Sequence, residues 1–373
     1  MDISKLRGIV EEILYPAGIA VDGPNPWDIH IRDERFFQRV IGSSSLGLGE
    51  SFMDGWWDSD CLDGFFSRLM PLHPEDIVRK NLKIRLNLVM AAVFNLARRS
   101  RAFTVGKKHY DLGNVLFQKM LDKRMVYSCG YWKNSGNHDD AQEAKLDLSC
   151  RKLGLQPGDR VLDVGCGWGS FAGYAAEKYG VNVVGITVSK EQAVLARESC
   201  RGLPVEFRLQ DYREIREPFD HIVSIGMFEH VCYKNYRTYM EVMHRCLKDD
   251  GLFLLHTIGD CCSHLTIDPW FGKYIFPNSL IPSMKQISAS IEKLFIIEDW
   301  HNFGPYYDPT LMAWFHNFEQ NWDLLRDIYD DRFYRMWKYY LLSSAGTFRS
   351  RCLQVWQIVL SKNGKPGGYD PVR

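Results

Sequence analysis

The chain has 373 residues, enough for two domains or for one large α/β domain with additions. With 46% hydrophobic and 25% charged residues, its composition is that of a globular protein and excludes disorder as its main state. The formal net charge is zero, so the average directs no partner and only local charge can.

The N-terminus, "MDISKLRGIV", carries an acid at its second position and no long apolar run, so no secretory signal is expected. No stretch reaches the roughly 18 uninterrupted apolar residues of a spanning helix. Both features predict a soluble, cytoplasmic protein. Ten cysteines are too few for a disulfide scaffold in a chain of this size. They show neither CxxC pairs nor other zinc spacing, so no metal is expected, and the vicinal pair Cys261-Cys262 reads as reduced thiols.

In chain order, residues 1–72 offer short helical and extended pieces, a Gly/Ser-rich turn at "GSSSLGLGES" and an aromatic cluster at "FMDGWW". This predicts a small N-terminal accessory domain, bounded at 1–78. Residues 79–108 are rich in Lys and Arg and contain no Asp or Glu around an apolar run from Leu86 to Leu96. They form a basic linker, a candidate for contact with an anionic membrane surface, the alternative being a helix packed on its own protein. The aromatics at 52–57 are a second, weaker candidate for that contact. Residues 109–373 are then the catalytic domain.

From about residue 158 the pattern becomes regular. "RVLDVGC", "VNVVGIT", "VEFRLQD", "HIVSIGM", "GLFLLHT", "LFIIEDW" and "VWQIVLS" are short apolar or β-branched runs, most of them separated by helical segments. Such runs predict a mainly parallel sheet with helices on both faces. In that doubly wound fold, ligands bind beyond the carboxyl ends of the strands.

The first run leads into "LDVGCGWGS", residues 162–170, a strand, a glycine turn and a helix from about Trp168. Gly165, Cys166 and Gly167 form a turn that a ligand can approach closely. A GxGxG turn alone serves several nucleotide cofactors. Three details favour S-adenosylmethionine: the GxGxG spacing, Asp163 two residues before the turn, and "LQDY" after the third strand. Asp163 would orient the loop and the ligand's ammonium, while Gln210 and Asp211 would meet the adenine edge. The end of the second strand, "GITVSKEQ", lacks the acid that usually holds a ribose diol, leaving Thr187 and Gln192 as polar substitutes.

Past other strand ends lie Glu229 in "GMFEHV", His256 in "LLHTIG" and Tyr306 or Tyr307 in "NFGPYYD". Parallel strands would bring these side chains to one edge. Cys129 of "YSCGYW" joins them if that hexapeptide folds over the mouth.

These motifs, in this order and together with "SLGLGESFMDGWW" and "KHYDLGN", resemble the cyclopropane-fatty-acyl-phospholipid synthases, relatives of the mycolic acid cyclopropane synthases. The similarity runs from near residue 14 to about residue 360. It implies a Rossmann-like class I S-adenosylmethionine methyltransferase fold with a seven-stranded sheet. It further implies transfer of a methylene group to the cis double bond of unsaturated phospholipid acyl chains, giving a cyclopropane ring. Carried onto this chain, the family's bicarbonate cage falls on Cys129, Glu229, His256, the backbone of Ile258, and Tyr307. Tyr307 is preferred to Tyr306 because the family's tyrosine directly precedes an aspartate, here Asp308. Tyr127 and Ser128 would face S-adenosylmethionine, and Trp132 reads as packing.

The resemblance also implies a homodimer and peripheral attachment to the inner face of a phospholipid bilayer. Two departures stand out: Cys232 where the family often has glycine, and Ser344 where some members have cysteine, so a thiol nucleophile there is not essential. The rival reading is a lipid methyltransferase giving a methyl-branched acyl chain. An inactive binding protein would predict a broken cage, and a nucleic-acid methyltransferase a broad basic surface, so neither is expected.

Overall fold

The computed structural model describes residues 2–72 and 113–373. The basic stretch 79–108 and most of "KHYDLGN" lie outside these residues. The chain divides into two compact units, one of Met1–Met120, Ile267–Pro277 and Leu311–Cys352, the other of Leu121–Thr266, Asn278–Thr310 and Leu353–Arg373.

In the first unit, β1 (His30–Ile31) pairs with β2 (Trp57–Asp58) beside the helices Arg35–Met53, Leu62–Leu69 and Asp331–Arg349. "GSSSLGLGES" holds a break at Ser44, with φ +47° and ψ −130°, between two helical pieces of Arg35–Met53, so the turn is confined to that residue and the rest is helical. Packing overrides local propensity at this point. A Cβ on Gly49 would come within 2.3 Å of the Trp270 ring, so glycine lets the helix approach that indole. Phe52 and Trp57 of "FMDGWW" are buried against Phe36, Phe65 and Tyr339, which assigns them to the core. Trp56 lies under the guanidinium groups of Arg35 and Arg39.

The second unit turns all seven apolar runs into one sheet: β3 (Arg160–Val164), β4 (Asn182–Thr187), β5 (Val205–Leu209), β6 (Phe219–Ile225), β7 (Leu247–Asp260), β8 (Ile296–Asn302) and β9 (Leu353–Ser361). Their order is β5-β4-β3-β6-β7-β9-β8, and every pair is parallel except those that β9 makes with β7 and β8. Alternate residues face opposite sides, as strand periodicity requires. Leu162, Ile222, Phe253 and Ile358 enter one core with the helices Tyr236–Cys246 and Met284–Ile291. Val161, Val223, Leu254 and Val359 enter the other with His138–Leu153 and Ser170–Tyr179. This is the doubly wound fold expected from the sequence. Among the described residues, no helix is long and apolar enough to cross a membrane.

The helix His138–Leu153 starts at an Asn137 cap and stops at Gly154 in the left-handed region. It presents Gln142, Lys145, Ser149 and Lys152 to the interior, all at 0% exposure. Their spacing of three and four residues sets them on one face. Lys152 Nζ sits 3.0 Å from Asp299 Oδ2 on β8, with both side chains buried. Removing one member of a buried ion pair leaves the other without its countercharge. Asp299→Ala should therefore lower stability by about 3 kcal/mol in urea denaturation.

Candidate active site

The glycine turn follows β3 and leads into the helix Ser170–Tyr179. Gly165, Gly167 and Gly169 take φ values of +83°, +53° and +86°, which side chains rarely adopt. Their surroundings differ. A Cβ on Gly165 would collide with Met227 and one on Gly169 with Phe207, whereas one on Gly167 would meet nothing within 4 Å. The outer two glycines serve packing, and the middle one leaves backbone open to a ligand. The amides of Gly165 and Cys166 both donate to the Ile186 carbonyl at 3.0 Å, which fixes the turn on β4.

Asp163 is buried in β3, and burial pushes its carboxyl up to about 7 against the pull of the Lys145 ammonium. A ligand cation brought beside it would favour the ionised form. Thr187 and Gln192 are brought together, with 2.9 Å between Thr187 Oγ1 and Gln192 Oε1. Gln210 follows β5, its amide donating to the Thr187 carbonyl at 3.0 Å. Asp211 caps the short turn after it, accepting the Arg213 amide at 2.9 Å.

"YSCGYW" is held by a residue not singled out in the sequence. Thr310 Oγ1 accepts the Gly130 amide at 3.1 Å and the Trp132 indole N–H at 2.9 Å, while its own hydroxyl donates to the Tyr306 carbonyl at 2.7 Å. Trp132 therefore bonds as well as packs. The Tyr131 ring lies against His301, Phe303 and Tyr306. The hexapeptide is thereby tied to the segment bearing Tyr307, which is buried at the start of the helix Tyr307–Gln320.

The helix His138–Leu153 backs the same hexapeptide. Lys145 Nζ donates to Ser128 Oγ at 2.8 Å, and Gln142 Nε2 donates to the Ser128 carbonyl at 2.8 Å. Burial draws Lys145 down to about 8, opposed by Asp122, Cys129 and Asp163. A polar stripe at helical spacing was its only signal in the sequence, and such a stripe ordinarily marks the face turned to water.

Cys129 is fully buried, and burial pushes its thiol far above the ordinary range, so it stays protonated. Its Sγ lies 3.3 Å from the Gly130 carbonyl. His256 sits within β7, which runs on to Asp260, rather than at its end. Burial, followed by the charges of Lys145 and Lys152, drives the imidazole well below its usual titration. The Gln357 side-chain amide lies 3.4 Å from His256 Nδ1, and the tautomer of the ring sets which of the two donates. His256 is thus neutral.

Glu229 lies in the turn Phe228–His230 after β6. Its Oε1 accepts the Ile258 amide at 2.7 Å, so the amide expected to hold an anion is engaged by Glu229 here. Its Oε2 is buried without a hydrogen-bond partner. Burial raises the carboxyl to about 7, against the pull of the Ile258 N–H, its own backbone N–H and the Thr257 hydroxyl. Cys232, three residues on, takes φ +67°, a conformation suited to glycine.

Sheet order, glycine turn and polar groups along one sheet edge define a class I methyltransferase architecture. Two solved structures share it. A cyclopropane synthase from Mycobacterium tuberculosis aligns with TM-score 0.65 at 32% identity, covering 68% of this chain and 96% of that one. A mycolic acid cyclopropane synthase in complex with SAH and CTAB aligns with TM-score 0.64 at 33% identity, covering 69% and 97%. The Escherichia coli (strain K12) cyclopropane-fatty-acyl-phospholipid synthase is 52% identical over 359 residues, 96% of this chain and 94% of that protein. The family model for mycolic acid cyclopropane synthetase matches residues 97–358. The chain belongs to that family.

Two outcomes follow from this geometry. Unfolded, Glu229 titrates near 4.5, and folded near 7. Between those values the unfolded chain has released a proton that the folded chain keeps, so stability falls as pH rises through the window. In ligand-free protein, Glu229→Gln should gain up to about 3 kcal/mol over the parent at pH 8 and about 1 kcal/mol or less at pH 5, read by urea denaturation. Cys232→Gly, which relieves the positive φ, should raise stability by about 1 kcal/mol in the same assay.

Proposed function

We propose that this protein transfers a methylene group from S-adenosylmethionine to the cis double bond of unsaturated acyl chains in membrane phospholipids, with a bound bicarbonate as the base. The observation that carries the reading is the partnerless Glu229 Oε2 in the sheet-edge site of a chain so close in sequence to the Escherichia coli synthase.

An acceptor oxygen buried without a donor fits a ligand that brings one, and the hydroxyl of bicarbonate does so. The other oxygens of such an anion would be held by neutral donors: the His256 imidazole, the Tyr307 hydroxyl and the Cys129 thiol. The Ile258 amide would reach it by sharing the proton it gives Glu229. On the cofactor side, the open backbone at Gly167 fits S-adenosylmethionine, with Tyr127, Ser128, Asp163, Gly165, Cys166, Thr187, Gln192, Gln210 and Asp211 around it. Bound there, the two groups would supply an electrophilic methyl and a proton acceptor.

An unactivated alkene is a weak nucleophile, so the reaction depends on holding it in line with the methyl group. Methyl addition at one alkene carbon leaves positive charge on its neighbour. Loss of one methyl hydrogen as a proton then closes the ring, with a net gain of CH₂ and release of S-adenosylhomocysteine. The chain's contribution is electrostatic and positional. Glu229 accepts a hydrogen bond and adds negative charge beside the reacting centre, while Cys129 and His256 donate without adding positive charge. Domain roles follow: the sheet-bearing part carries the chemistry within 109–373, and 1–78 is accessory. The charge pattern of 79–108 suits docking on anionic lipid from the cytoplasmic side, and the active form is a homodimer.

The test is to incubate the protein with vesicles of unsaturated phospholipid and labelled S-adenosylmethionine, then examine the released fatty acids by mass and NMR. A product heavier by one CH₂, with cyclopropane protons and no alkene, is expected. A methyl-branched product would move the protein to the lipid methyltransferases, and unlabelled lipid would overturn the substrate class. Glu229→Gln should lower kcat about 100-fold or more. In buffer stripped of carbon dioxide the parent's activity should fall, and added bicarbonate should restore it.

A further inference from the structure

Among the described residues, one cluster of metal-ligating side chains is left unused by the catalytic reading. Where β7 ends, the chain reads Asp260-Cys261-Cys262-Ser263-His264. Ligand atoms of Asp260, Cys261 and Cys262 lie within 4.8 Å of one another. The two sulfurs are 3.9 Å apart, and His264 Nε2 is 3.4 Å from Asp260 Oδ2. Bonds of about 2.3 Å to sulfur and about 2.0 Å to oxygen or nitrogen, arranged tetrahedrally around zinc, place two sulfurs about 3.8 Å apart and an oxygen and nitrogen about 3.3 Å apart. The sulfur–sulfur separation matches an edge of such a tetrahedron, while His264 meets Asp260 without joining the group of three.

The backbone beneath these groups is already held. The Asp260 amide donates to the Pro282 carbonyl at 3.0 Å, Ser263 Oγ meets Ser283 Oγ at 2.7 Å, and Gln286 Nε2 donates to the His264 carbonyl at 2.9 Å. The Cys262 amide engages Asp260 Oδ1 at 2.7 Å, which turns the other carboxylate oxygen toward His264. Both thiols are exposed, so an ion has a way in. Spacing rules for zinc pass over this stretch because they describe cysteines separated by a turn, not adjacent residues at the end of a strand.

We propose that Asp260, Cys261 and Cys262 form a binding site for a thiophilic divalent cation of the zinc type, with His264 orienting the Asp260 carboxylate. Two thiolates and a carboxylate suit such an ion better than a hard one like magnesium, which prefers all-oxygen ligands. Asp260 lies two residues beyond Ile258 on the same strand, and the Ile258 amide holds Glu229. Occupancy therefore acts on the strand that positions the candidate base-supporting carboxylate.

The experiment uses full-length, chelator-treated protein titrated with cadmium, followed by the ultraviolet charge-transfer absorption of cadmium thiolates, with zinc as competitor and native mass spectrometry for stoichiometry. One equivalent is expected. Cys261→Ser/Cys262→Ser should weaken binding about 100-fold or more and abolish the thiolate band, and His264→Ala should weaken it about 10-fold. Cys232→Ser, which changes another exposed thiol, should bind as the parent does. A double-cysteine variant that binds like the parent would overturn the site, and a His264→Ala variant that does so would overturn the orienting role of His264. No substrate is involved, so the outcome is independent of the catalytic reading.

Discussion

A carboxylate taken out of water needs partners for both oxygens, and Glu229 has a partner for one. Burial without full compensation holds its proton to about 7, so the folded chain carries a cost there that a well-packed apolar residue would not impose. Much of the second unit serves this arrangement. The end of β6 delivers Glu229, the neighbouring β7 delivers the Ile258 amide, and the Leu280 amide, 2.7 Å from the Glu229 carbonyl, closes the turn around it. The positive φ at Cys232, just downstream, adds backbone strain to the same loop.

Elsewhere in the second unit, burial moves Cys129, His256, Asp163 and Lys145 toward their uncharged forms. Cys129 is kept as a thiol and His256 as a neutral imidazole, and Asp163 is raised to about 7. Lys145 and Lys152, each at about 8, are the positive charges acting on His256, Lys152 being paired with Asp299. A site built in this way has few fixed charges of its own, so any charge that a ligand brings acts through a poorly screening interior. For chemistry in which positive charge passes from a sulfonium to carbon and leaves as a proton, such an environment makes the placement of each neutral donor decisive.

The strand edge also links sites that sequence distance separates. β7 carries His256, Ile258 and Asp260 at alternate positions, on one side of the pleat. Its antiparallel partner β9 brings Gln357 opposite His256, and Gln357 in turn bonds Ser149 on the backing helix at 3.1 Å. A cation at the end of this strand would bear on the same ladder.

The doubly wound fold was legible because apolar, β-branched runs separated by helices have few other ways to bury both faces of each strand. The glycine turn was legible for a local reason, since positive φ at three alternate positions calls for glycine. Other features were not. "GSSSLGLGES" looked like one turn, but the chain breaks only at Ser44 and is helical on either side, with Gly49 against the Trp270 ring. Thr310, which anchors the aromatic hexapeptide, lies some 180 residues along the chain from Gly130 and has no motif. Gln142, Lys145, Ser149 and Lys152 share a helix face that carries no motif, and all four are buried, Gln142 and Lys145 against Ser128. By itself, the sequence determined which residues form strands and turns and which side chains share an element's face, because periodicity and backbone sterics are local. Only the tertiary structure decided which faces were covered. What covers a polar face sets whether its groups remain charged in water or are neutralised and aimed, and that depends on residues far away in the chain.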